Sequence, residues 1–270
     1  TAPADAEIIG FDLPELDITD ASAVIDIVQR SDASVIVNAA AYTAVDNAES
    51  DAEKCHAVNV NGPENLAQAA KEFGVRLIHI STDFVFDGEG STPYKTNDPT
   101  NPLSVYGRTK RDGELAVLNT LPGSGVVLRT AWLYSKTGSN FVKTMLKLMQ
   151  ERDELSVVSD QVGTPTWANS LASVVWACAG APGLSGVFHW TDGGKASWHD
   201  FALAIQQEAH ALGLIDKIIP VRAITSADYP TAAARPKYSV LDCTITRDVL
   251  DLRPADWRVN LKKMLEELRL

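Results

Sequence analysis

The sequence predicts an α/β fold built on a parallel sheet, and three observations carry that expectation. Short apolar runs alternate with helix-patterned segments through the first half of the chain. Polar groups (Asn38, Ser81–Asp83, Thr130–Trp132) fall where those runs end, and ligands of parallel sheets sit beyond the carboxyl ends of strands. Tyr106 and Lys110 stand one helical turn apart, so both project from the same helix face.

Taken in order, Glu7–Asp12 reads as a strand and Ala21–Arg30 as a helix with Val24, Ile27 and Val28 inward. Ser34–Asn38 is a continuous apolar run of the kind buried on both faces of a parallel sheet. A helix is expected from Asn61-Gly-Pro63, where proline suits a first helical position, to Gly74. Val75–Ser81 is the next strand, the Tyr106 helix follows, and Val126–Arg129 is another strand. Beyond about residue 138 the pattern loosens. Asn140–Arg152, Asn169–Gly180, Asp200–Leu212 and Val259–Leu268 read as helices, and Leu155–Ser159 and Val187–Trp190 as strands. The expected division is a dinucleotide-binding unit over 1–138, with segments of about 153–190 partly returning to it. Residues 139–152 and 191–270 are expected to form a smaller substrate-binding region.

Composition narrows the function classes. At 270 residues and 45% hydrophobic content the chain can bury one large core or two modest ones. A net charge of −11 argues against an electrostatic grip on nucleic acid or an anionic membrane. No apolar run approaches the roughly 20 residues that span a bilayer, and no signal peptide is visible. The three separated cysteines (Cys55, Cys178, Cys243) form no disulfide or metal-ligand pattern, which fits a reducing, cytoplasmic compartment. None of His56, His79, His189, His199 or His210 has metal-ligand spacing, so no catalytic metal is expected; His79 reads as a strand residue. A homodimer is compatible with the acidic helices but nothing demands it.

The chemistry read from the residues is proton transfer. An ammonium beside a phenol favours the phenolate, so Lys110 is expected to ease a proton exchange between Tyr106 and a substrate oxygen near neutral pH. Ser81-Thr-Asp83, closing a strand just upstream, adds a hydroxyl to that site.

Several strings together resemble the extended short-chain dehydrogenase/reductases: Ala39-Ala-Ala41, Ser81-Thr-Asp-Phe-Val-Phe-Asp-Gly88, Tyr106-Gly-Arg-Thr-Lys110 and Arg129-Thr-Ala-Trp132. Within that group Asn38-Ala-Ala-Ala-Tyr-Thr-Ala-Val-Asp46, Gln161-Val-Gly-Thr-Pro-Thr166 and Arg235-Pro236 resemble the dTDP-4-dehydrorhamnose reductases. The resemblance implies a Rossmann-like, doubly wound parallel sheet and reduction of the C4 keto group of a dTDP-linked deoxyhexose by NADPH or NADH. It gives Tyr106 the role of general acid, Lys110 that of holding the nicotinamide ribose, and Thr82 a hydrogen bond to the substrate carbonyl. By the same resemblance Asp12, Asp17 and Ile18 meet the adenosine, and Ala39, Ala40 and Ala41 let the cofactor approach the sheet. A carboxylate at Asp12 favours NADH over a 2′-phosphate. Asp83, Phe84, Val85 and Trp132 are expected around the sugar, with Asn140 and Arg235 at the nucleotide end.

One departure stands out. No G-x-x-G-x-x-G turn is present, and Gly88-Glu-Gly90 and Gly123-Ser-Gly125 lack the third glycine. The chain opens near the family's second strand, so the expectation is a truncated or incomplete record of a normal protein that lacks about 30 residues, the first strand and helix, or else a natural variant with a reduced cofactor site. Two other roles stay open. One is a non-catalytic regulatory subunit, as in the related β subunit of methionine adenosyltransferase. The other is a nucleotide-sugar epimerase or dehydratase, for which Asp83 is the acidic residue in the right place.

Overall fold

A computed structural model of the chain describes residues 2–269. Helix α1 (Ala21–Ser31) begins where the Asp20 carboxylate accepts from the Ser22 and Ala23 amides, and it buries Val24 and Val28. Strand β1 (Val35–Asn38) leads to α2 (Val45–Ala48) and α3 (Ala52–His56). A π-turn, Ala57–Asn61, joins α3 to α4 (Gly62–Phe73). Pro63 sits in the first turn of α4, and Gly74, at φ 69°, takes the left-handed conformation that closes it. Strand β2 (Arg76–Thr82) runs into a 3₁₀ turn, Asp83–Val85, before α5 (Val105–Thr120) and β3 (Gly125–Thr130). The later elements are β4 (Leu133–Tyr134), α6 (Phe141–Glu151), β5 (Leu155–Val158), β6 (Val162–Gly163), β7 (Thr166–Trp167), α7 (Ala168–Ala179) and β8 (Gly186–His189). They are followed by β9 (Ala196–Ser197), α8 (Trp198–Ala211), β10 (Val221–Ile224), α9 (Thr244–Leu250) and α10 (Trp257–Leu268).

The main sheet has the order β1-β2-β3-β8, all strands parallel. Alternate side chains feed two layers. Leu77 and Val127 pack against Val24, Leu66 and Val117 of α1, α4 and α5 on one face. Ile78, Val126 and Leu128 pack against Leu171 and Val174 of α7 on the other. Helices therefore cover both faces of a parallel sheet, the doubly wound α/β architecture that the alternating runs predict. A third apolar cluster joins α6, α8 and α10 around Tyr134, Phe201 and Trp257, beside the parallel pair β5–β10. Among the described residues no helix is long and apolar enough to cross a membrane.

Two expectations fail for one physical reason: strandedness depends on a neighbour. Among the described residues Glu7–Asp12 has no strand beside it, and it lies as irregular chain with Ile8, Ile9 and Phe11 exposed. Among the described residues strand β1 pairs with β2 alone, so it is an edge strand, and Val37 is exposed rather than buried on both faces.

Candidate active site

The carboxyl ends of β1, β2 and β3 place Asn38, Thr82 and Thr130 along one edge of the sheet, and α5 crosses beneath it. Helix α5 begins at Ser104, whose hydroxyl accepts from the Gly107 amide at 3.1 Å. It can press close because it carries glycine at two contacts. A methyl group on Gly107 would collide with the Phe84 carbonyl, and one on Gly113 with the Asn59 carbonyl that the π-turn pushes forward.

This approach brings Tyr106 to the 3₁₀ turn that follows β2. Its ring meets Phe84 edge-on, with centroids 5.6 Å apart. The Thr82 hydroxyl donates to Asp83 Oδ1 at 3.0 Å and accepts from the Phe84 amide at 3.2 Å. Tyr106 keeps some open surface, yet crowding around its hydroxyl pushes the phenol up to about 12; hydrogen bonding with Thr82 pulls it down and the Asp83 carboxylate pushes it further up. Burial also raises the Asp83 carboxyl to about 6, against hydrogen bonds from Ser239 and Thr82.

Lys110 is buried one turn further along α5, and its head is held against β2. The ammonium donates to the Ile80 carbonyl at 2.7 Å and lies 3.3 Å from His79 Nε2. Burial brings Lys110 down to about 8, with Glu114 and Cys55 pulling the other way. The expected direction for Tyr106 is thus reversed: its phenol is raised because enclosure dominates, while the Lys110 head is hydrogen-bonded to the Ile80 carbonyl. At neutral pH this tyrosine is a proton donor.

Beneath these residues runs a second layer that spacing alone did not reveal. Glu114, the next residue on the Tyr106–Lys110 stripe, takes a bidentate pair from Arg129 of β3 at 2.8 and 2.7 Å and a hydrogen bond from the Ser81 hydroxyl. Arg129 also stacks over Phe86 and faces His189 Nε2 at 3.3 Å. The available signal was the i, i+4, i+8 series Tyr106, Lys110, Glu114 on one helix face.

The other expected residues divide. Ala39 and Ala40 are exposed and Ala41 is half-buried at the end of β1, leaving the sheet edge open for a flat ligand. Asp12 is exposed and caps its own turn through the Leu13 amide at 2.8 Å. Asp17 is held low by the Thr19 amide and hydroxyl. Ile18 is buried against Gly62 as part of the α1–α4 core, so its side chain presents no face to an adenine. Val85 is likewise fully buried, with Phe86, Tyr94 and Leu241, because the 3₁₀ turn rotates it inward while leaving Phe84 at the site. Trp132, at φ 50°, turns its indole onto Trp198, stacked at 3.6 Å, over the β-carbon-free Gly163. Asn140 spends its amide on capping α6: it accepts from the Lys143 amide and donates to the Ser135 carbonyl. Arg235 is committed to Asp46, with contacts of 2.6 and 3.0 Å, rather than standing free for a diphosphate.

The family model for the RmlD substrate binding domain matches residues 1–270. A dTDP-4-dehydrorhamnose reductase of Aggregatibacter actinomycetemcomitans is 43% identical, covering 96% of this chain and 89% of its own. A probable dTDP-4,6-dihydroxy-2-methyloxan-3-one 4-ketoreductase of Streptomyces antibioticus is 41% identical, covering 98% of this chain and 87% of its own. The crystal structure of a dTDP-4-dehydrorhamnose reductase from Bacillus anthracis in complex with NADP superposes with a TM-score of 0.92 at 35% identity, over 99% of this chain and 92% of that one. With the tyrosine, lysine and threonine of the resemblance gathered at one sheet edge, and a family match along its whole length, the chain belongs to the RmlD substrate binding domain family.

Proposed function

We propose that this protein reduces the C4 keto group of dTDP-4-dehydro-L-rhamnose to dTDP-L-rhamnose with NADPH or NADH. The observation that carries the reading is the Tyr106 phenol, held protonated beside the Thr82 hydroxyl at an open edge of the sheet. The small exposed side chains of Ala39 and Ala40 and the buried Lys110 ammonium suit a nicotinamide ribose laid along that edge. When bound, the cofactor supplies hydride to C4.

The chain's own part is to bind and protonate the oxygen. A carbonyl lying beside Thr82 and Tyr106 accepts a hydrogen bond from the Tyr106 phenol, and one from the Thr82 hydroxyl once that hydroxyl turns its single proton away from Asp83. As negative charge grows on that oxygen, Tyr106 transfers its proton and the product leaves as an alcohol. The hydrogen bond with Thr82, which pulls the phenol down, steadies the phenolate left behind. Asp83 and Phe84 border the same oxygen position, while Trp132, with Trp198 behind it, forms a flat wall for the sugar. The residues from 139–152 and 191–270 hold the nucleotide end. The assembled Thr82, Tyr106 and Lys110 support a catalyst rather than a silent regulatory subunit. Phe84, where a second acidic residue would serve a dehydratase, supports reduction over elimination. The three free, buried cysteines support a cytoplasmic reaction.

The test is to mix the protein with NADPH or NADH and dTDP-4-dehydro-L-rhamnose, following cofactor absorbance and product by mass spectrometry. One dTDP-L-rhamnose per cofactor oxidised is expected. A folded protein that oxidises neither cofactor in the presence of the ketone would overturn the proposal. The corresponding UDP-linked ketone, as an alternative substrate, reports how strictly the base is read.

A further inference from the structure

Two buried side chains, Asn38 and His79, link a backbone amide to Lys110. The Ala40 N–H donates to Asn38 Oδ1 at 3.1 Å, Asn38 Nδ2 lies 3.0 Å from His79 Nδ1, and His79 Nε2 lies 3.3 Å from Lys110 Nζ. Asn38, His79 and Lys110 are all buried, so no solvent reassigns these contacts. A backbone N–H is a donor only, and this sets the polarity of the whole series. Asn38 must turn its oxygen to Ala40, which turns its amide nitrogen, a donor, to His79 Nδ1. That nitrogen must then accept, so the neutral ring carries its proton on Nε2 and aims it at Lys110.

An N–H aimed at an ammonium is donor against donor, whereas aimed at a neutral amine it meets a lone pair. We infer that His79 is a positioning residue for Lys110, held by Asn38 as the Nε2–H tautomer so that it favours the neutral amine and eases release of the lysine proton. The inference rests on the reading of Lys110 as part of a reductase site. Other groups around the pair do not set this polarity. Ile80 offers a carbonyl that accepts from either form of the lysine. Glu114 and Cys55 favour the ammonium, and Glu114 is already paired with Arg129 and Ser81. The direction of both titrations agrees: His79 is held well below its usual range by burial and by Lys110, and Lys110 is lowered to about 8.

The isosteric change Asn38→Asp reverses the series. A carboxylate still accepts from Ala40 but demands a proton on His79 Nδ1, which leaves Nε2 to accept from the lysine ammonium. The measurement is ¹⁵N NMR of the histidine-labelled protein without cofactor or substrate. The wild type is expected to show a neutral Nε2–H ring at His79 whose shifts respond near the pH at which Lys110 titrates, a response that Lys110→Met removes. Asn38→Asp is expected to show the Nδ1–H tautomer and to move the alkaline limb of kcat/KM upward by about one pH unit. A wild-type Nδ1–H tautomer or imidazolium overturns the inference. So does Asn38→Asp without the tautomer switch, or with the switch and an unmoved limb. Should the protein reduce no ketone at all, the reductase reading falls, while the tautomer measurement still decides whether His79 is coupled to Lys110.

Discussion

The seam between α5 and the sheet and the cluster between α6, α8 and α10 are both buried, yet their side chains differ in chemistry. The cluster holds Trp257, Phe201, Tyr134, Met149 and Leu261, packed ring against ring, with Phe201 edge-on to Trp257 at 5.5 Å. Its contacts are non-directional, so it resists unfolding without dictating where any one atom sits. The seam holds Asn38, His79, Ser81, Lys110, Glu114, Arg129 and His189, every one hydrogen-bonded and buried. There each group has one orientation that satisfies its neighbours, and those orientations fix α5, with Tyr106 on it, beneath the sheet edge. The lesson is a division of labour: apolar burial supplies stability beside the site, and directional polar contacts supply geometry beneath it.

Breaking the seam should cost both stability and activity. Glu114→Gln leaves the Arg129 guanidinium buried without its carboxylate, and a loss of about 3–5 kcal/mol is expected in chemical denaturation. Phe201→Ala opens a cavity in the cluster at a comparable cost of about 3–5 kcal/mol, but kcat per folded molecule should stay near wild type. Activity measured alongside denaturation separates the two, since Glu114→Gln should lose kcat as well. A fall in kcat with Phe201→Ala equal to that with Glu114→Gln would erase the proposed division.

Asp83 sharpens the comparison with a pH signature. Its carboxyl titrates at about 6 in the folded chain against 3.8 for the free group, so the folded state holds a proton that the unfolded state has released between those values. That stabilising contribution is complete below 3.8 and is lost as pH rises through about 6. Above that, the buried carboxylate costs at most about 3 kcal/mol, since one pKa unit is worth about 1.4 kcal/mol. Asp83→Asn should therefore raise Tm relative to wild type at mildly alkaline pH, with the gain shrinking in acid. Thermal melts across pH test this, and a gain that grows toward acid would contradict it. The smallest effect expected is at the start of α5. Ser104→Ala removes the hydroxyl that caps Gly107 and should cost about 1 kcal/mol.

Much of the frame was legible because it is local. Pro63 and Gly74 bracket α4 through backbone rules that need no partner, and the apolar runs of β2 and β3 announce burial wherever they lie. The Tyr106–Lys110 spacing gave a shared helix face, and the strand-end hydroxyls gave the edge they meet. What stayed hidden depends on neighbours distant in sequence. Glu7–Asp12 has strand composition but, among the described residues, no adjoining strand. Asn140 and Arg235 are polar residues whose partners, Ser135 and Asp46, decide whether they face a ligand or the protein. Val85 sits between site residues in sequence, and only the 3₁₀ turn sends it inward. His79 looked like any strand residue until its position between Asn38 and Lys110 was known. The rise of the Tyr106 phenol was hidden as well, because sequence spacing gives proximity to a lysine but not the enclosure of the phenol.

The most direct measurement of the central claim is single-turnover reduction of the dTDP-linked ketone by Tyr106→Phe beside the wild type. Losing the proton donor while keeping the ring should slow the chemical step by roughly 10²–10⁴-fold, with NAD(P)H binding and Tm little changed. Reduction at the wild-type rate by Tyr106→Phe would contradict the assignment of the proton to Tyr106 and with it the account of this site.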